Sequence, residues 1–135
     1  MERLYWDPSL SVQIELIDNQ HKQLLEIVNN VQNAIITKTQ KIAVNDIFEA
    51  LFLNAKINFK NQEYLFNRYN YPFIKEHQKE HNDYLIILRG YRERLPDSSK
   101  QVCDELLVFL KAWFENHIKV SDKKYASLLN EQGVR

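Results

Sequence analysis

Four histidines and one aspartate carry the chemistry this sequence offers. His77 and His81 stand four residues apart in "FIKEHQKEH", one helical turn, so both imidazoles leave the same face. His117 and Asp122 bracket "HIKVSD", and His21 lies in "IDNQHKQLL". Neutral imidazoles on facing helices are a standard way to build a metal site inside a bundle, and an added carboxylate suits Zn²⁺, Fe²⁺ or Mn²⁺. One histidine on an apolar stripe is more often a hydrogen-bonded core residue than a ligand. Here every histidine of the chain falls on an inward stripe, and the stripes belong to three different helices. That pattern favours a metal. Asp122 reads equally as a completing ligand and as a cap for a last short helix.

The helices that position these residues are read from apolar periodicity. The first runs from about Asp18 to Lys38, its stripe passing through Ile17, His21, Leu24, Val28, Val31 and Ile35. The second runs from about Val44 to Tyr69, with Asp46 in its first turn and Ile47, Leu51, Ala55, Asn58, Gln62, Leu65 and Tyr69 facing inward. The third spans about Pro72 to Arg94, with Pro72 in its first turn and Ile74, His77, His81, Leu85 and Leu88 inward. The fourth, capped by Asp97 or Ser98, reaches about His117 and turns Leu106, Leu110, Trp113 and His117 inward. Five residues separate His117 from Asp122, which does not suit one face of an α-helix. The spacing predicts that the helix ends near His117 and the chain turns back over that end. A short helix over about Asp122 to Asn130 follows. The first dozen residues, with Tyr5, Trp6 and Pro8, read as an extended arm packed on the surface of something larger. The expectation is one all-α domain over residues 1–135. Its architecture is an antiparallel up-down-up-down four-helix bundle with an N-terminal arm and a short C-terminal helix.

Bulk composition narrows the function. Lysine plus arginine equals aspartate plus glutamate at 18 each in 135 residues. No electrostatic footprint for nucleic acid or an anionic membrane surface results. No apolar run is long enough to cross a bilayer, and "MERLYWDPSL" holds no secretory signal. The single cysteine, Cys103, excludes an internal disulfide and fits a reducing compartment, so a cytoplasmic location is expected. Only two glycines and three prolines are present, which favours long helices. No general base or substrate pocket is evident, so no enzyme is expected. Redox chemistry at an open metal is the weaker alternative.

The stretches "SVQIELIDNQHKQLLEIVN", "YNYPFIKEHQKEH" and "LKAWFENHIKVSDKKY" resemble the hemerythrins, specifically the short bacterial single-domain kind, from Trp6 to Tyr125. The resemblance implies a four-helix bundle that holds two irons and binds oxygen reversibly. It further implies that His77, His81 and His117 serve one metal, that His21 serves the second, and that Asp122 bridges them. The family also carries a histidine and a glutamate on the second helix, four apart. Alignment on "NFKNQEYLF" puts Asn58 and Gln62 at those positions. Glu63 cannot stand in for Gln62, because one residue turns a helical side chain by about 100°.

An amide offers only a neutral carbonyl oxygen, and the lost carboxylate removes one negative charge from a buried cluster. The second metal position is therefore expected to be empty or weakly filled. Asn58, Gln62 and His21 would form a hydrogen-bond network in its place, with Gln62 holding one His21 tautomer. The expected protein holds one metal, iron or zinc, and binds or senses O₂ or NO. The alternative is an ordinary di-iron oxygen carrier. Phe59 and Phe66 are expected to wall the site from water.

Overall fold

The computed structural model describes residues 3–135, and among them every regular element is helical. Four long helices pack as a ring: α1 (Glu15–Thr37), α2 (Gln40–Arg68), α3 (Ile74–Glu93) and α4 (Ser99–Trp113). A π-helical segment, Phe114–Ser121, runs on from α4 and leads directly into α5, Asp122–Glu131. The all-α bundle expected from periodicity is the observed fold.

Helix ends follow local chemistry. α1 begins earlier than its periodicity indicated, because Asp18 in its first turn holds the incoming chain. Its Oδ1 accepts from the Val12 backbone N–H at 2.8 Å and its Oδ2 from Ser11 Oγ at 2.5 Å. α1 stops where Lys38 takes a left-handed conformation, φ 58°, and the Thr39 N–H closes onto the Ala34 carbonyl at 2.9 Å. That closure turns the chain within two residues, so α2 starts at Gln40 and Asp46 falls beyond its first turn. Asn70, φ 54°, makes the next reversal, and Pro72 precedes α3 instead of opening it. Ser98 occupies the N-cap of α4 without a side-chain capping bond.

The expected break near His117 does not occur. The chain stays helical by widening: the Asp122 N–H bonds to the His117 carbonyl, five residues back. Such bonds put residues five apart on one face, which an α-helix does not do.

The core is divided. A larger apolar cluster holds Val28, Val31, Leu51, Leu88, Leu106 and Leu110. A smaller one holds Ile17, Phe66, Tyr71, Tyr125 and Leu129. Each inward stripe crosses from one cluster to the other through polar residues. α1 passes from Ile17 through His21 to Leu24, and α2 from Ala55 through Asn58 and Gln62 to Phe66. The metal-ligating residue types thus form a belt between two oily layers.

From Arg3 on, the arm lies along the bundle as expected, although Pro8–Leu10 form a 3-10 turn and Tyr5 points outward; its first two residues lie outside the described ones. Asn29 accepts from the Leu4 N–H at 2.9 Å and donates to the Leu4 carbonyl at 2.8 Å, while Leu10 is buried. Asn29→Ala removes both bonds and is expected to cost about 1–2 kcal/mol in urea unfolding. It should also speed proteolytic removal of the arm. Unchanged stability and cleavage would show that the arm is held by its apolar contacts alone.

Candidate metal centre

Every one of His21, His77, His81, His117 and Asp122 is at least 97% buried. α1 supplies His21, α3 supplies the His77–His81 pair, the π segment supplies His117, and the first residue of α5 supplies Asp122. One ligating atom from each of His77, His81 and His117 lies within 4.8 Å of the others. Asp122 faces two ways. Its Oδ1 stands 3.0 Å from both His77 Nε2 and His117 Nε2, and its Oδ2 stands 3.1 Å from His21 Nε2. All five sequence-predicted site residues are therefore brought together, and the π segment is what swings Asp122 beneath His117.

These approaches are close without being aligned hydrogen bonds. Both ring nitrogens of His21, His81 and His117 and both oxygens of Asp122 lack a hydrogen-bond partner. A buried unsatisfied polar group costs about 1–3 kcal/mol. Many such atoms converging on one place form an unstable arrangement unless something satisfies them together. Three neutral imidazoles and a carboxylate fit a divalent cation.

The two amides do not behave as expected. Gln62 Oε1 contacts His77 Nε2 at 3.0 Å, and Gln62 Nε2 donates to Asn58 Oδ1 at 3.2 Å. His21 turns instead to Asp122. An amide on α2 reaches the imidazole that α3 presents, not the one on α1.

Aromatic rings enclose the cluster. Phe59 stacks on His81 with ring centres 3.7 Å apart, and Phe66 meets His77 edge-on at 5.0 Å. Trp113, which the sequence presented as packing, stacks on His117 at 3.9 Å. Its four-residue offset from His117 was the available signal. Glu80 was missed altogether. Its Oε1 accepts from Ser121 Oγ at 2.8 Å and its Oε2 lies 3.5 Å from His117 Nδ1, tying α3 to the π segment. Its partners lie about forty residues away in sequence, so no local pattern announces them.

Burial sets the proton affinities, and neighbouring charge corrects them. Burial lowers the His81 pKa to about 2, helped by the charges of His77 and His117. Burial would lower that of His117 too, but the Asp122 and Glu80 carboxylates overcome it and raise the value to about 9. Burial would raise the Asp122 pKa, yet His117, His21 and His77 hold it well below the usual carboxylate range. The metal-free site is thus a neutral His81 beside a His117–Asp122 ion pair.

A helical bundle that gathers histidines and a carboxylate at a buried centre is a metal-binding bundle. Residues 12–129 match the hemerythrin HHE cation binding domain, and the chain belongs to the hemerythrin family. It is 30% identical over 126 residues to a bacteriohemerythrin of Stenotrophomonas maltophilia, covering 93% of this chain and 81% of that one. It is 32% identical to a bacteriohemerythrin of Pseudomonas aeruginosa over 93% of this chain and 80% of the relative. A myohemerythrin of Theromyzon tessulatum matches at 26% identity over 95% of both chains.

The opposed shifts fix a pH profile for the metal-free protein. Below the ordinary histidine value of 6.5, the unfolded chain gains a proton that folded His81 refuses, so stability falls as pH falls. The raised value of His117 contributes stability that is full below 6.5 and is lost as pH rises through about 9. With chelator present, the urea midpoint should peak near pH 6.5 and fall on both sides. A midpoint that climbs steadily to pH 9 would contradict the ion pair.

Proposed function

We propose that this protein holds a single metal ion, iron ahead of zinc, at His77, His81, His117 and Asp122, and binds a small ligand such as O₂ or NO there. A ferrous ion supplies one electron and a coordination position open to such a ligand. The observation that carries the reading is the amide pair. Asn58 and Gln62 bond to each other and offer only neutral carbonyl oxygens, which leaves the second position with His21 Nε2 and Asp122 Oδ2 as its imidazole and carboxylate donors. Two donors are a poor shell for iron, and the missing carboxylate leaves the buried charge of a second cation uncompensated.

On this reading His21 is a positioning residue. It stands 3.1 Å from Asp122 Oδ2 and keeps Oδ1 turned toward His77 and His117. Phe59, Phe66 and Trp113 pack their rings against His81, His77 and His117 and shield the site from water. The likeness to the hemerythrins, a family that holds iron, supports iron over zinc. A binding or sensing role fits better than an enzyme, since Glu80, the further carboxylate beside the site, is engaged by Ser121 and His117. The lone buried Cys103 fits a cytoplasmic setting.

One observation favours the ordinary di-iron oxygen carrier. Asp122 still presents an oxygen to each side, with His21 opposite the three-histidine group. Metal analysis separates the two readings. Protein purified without added metal should carry about one metal per chain, and the double variant Asn58→His with Gln62→Glu should approach two. Two irons in the unaltered protein, with a reversible colour change in air, would overturn the one-metal reading.

A further inference from the structure

We propose that Gln62 is itself a ligand of this metal through its side-chain carbonyl oxygen, that Asn58 orients it, and that this neutral donor biases the site toward the divalent state. The inference rests on the one-metal reading.

Gln62 is completely buried, so its amide must be satisfied from within the bundle. Its Nε2 is spent on Asn58 Oδ1 at 3.2 Å, which turns the carbonyl end to His77. Oε1 then lies 3.0 Å from His77 Nε2, and Asp122 Oδ1 lies 3.0 Å from the same nitrogen. One ring nitrogen carries at most one hydrogen and cannot donate to both oxygens. A cation held by His77 Nε2 and Asp122 Oδ1 would have the Gln62 carbonyl oxygen beside it as a further donor. The Gln62–His77 separation also repeats the spacing of His77 and His117 to Asp122 Oδ1. Gln62 Oε1 thus stands beside the same ring nitrogen that faces Asp122 Oδ1, where its carbonyl oxygen could join the donor set of a bound ion.

The chemical consequence is one of charge. Three imidazoles and an amide are neutral, so Asp122 is the one charged residue among the proposed ligands. A divalent metal leaves one net positive charge in a buried site, and a trivalent one leaves two. Desolvated charge of that kind is costly, which favours Fe²⁺ over Fe³⁺. A glutamate at position 62 would return the missing charge and favour oxidation. The redox step is a one-electron change at iron; Gln62 loses and gains no proton in it.

Cobalt(II) is a suitable probe, because its visible bands intensify as coordination number falls. Apo-protein should take up one Co²⁺ with weak bands. Gln62→Leu should strengthen the bands and weaken Co²⁺ binding at least about tenfold in a chelator competition. Asn58→Leu should weaken binding by less, since the carbonyl remains. Gln62→Glu, which keeps size and polarity, should bind Co²⁺ more tightly and, loaded with iron, show a lower reduction potential against dithionite-reduced mediators. Uptake of one Co²⁺ with spectrum and affinity unchanged in Gln62→Leu would overturn the ligand role. An unchanged affinity and potential in Gln62→Glu would do the same, even if Gln62→Leu failed to fold. Uptake of two Co²⁺ by the unaltered protein would instead overturn the one-metal reading beneath the proposal.

Discussion

A carboxylate with no exposure to water governs this fold. Asp122 is buried among imidazoles, with an oxygen toward each half of the cluster. Transfer of such a charge from water is affordable only when it is matched, and here a proton on His117 or a metal cation matches it. The bundle is arranged around that requirement. Apolar clusters on either side close the centre, and the helices interrupt their stripes where they pass it. The buried polar atoms of the centre lack hydrogen-bond partners, so a bound cation would contribute to folding.

The π segment is the device that makes the arrangement geometrically consistent. Ordinary α-helical spacing would put Asp122 off the face that carries His117. Widening the helix over Phe114–Ser121 restores the alignment without ending the helix. The cost of poorer backbone packing is borne where it serves the site, and Trp113 and Glu80 brace the region from two sides.

Much of this was readable beforehand. The helices follow from apolar recurrence at 3.6-residue spacing, and the four inward histidines mark the centre. What periodicity could not reveal was helix type: a five-residue offset looks off-face until i→i+5 bonding is considered. Nor does spacing along α2 say which opposite imidazole an amide will meet. Gln62 reaches His77, not His21, because that depends on how the helices pack across the bundle. The early start of α2 rests on one left-handed residue, Lys38, which carries no glycine to announce it.

The chain keeps the family's helical architecture and places two neutral amides at its centre. Asn58 and Gln62, which stand where the resemblance implies a basic and an acidic donor, are uncharged amides that bond to each other. The account stands on the consequence that a single cation fits. Anomalous scattering at the iron edge, from crystals of the iron-loaded protein, addresses it most directly. One peak ringed by His77, His81, His117 and Asp122 is the predicted map. Two fully occupied peaks, the second beside His21, would contradict it.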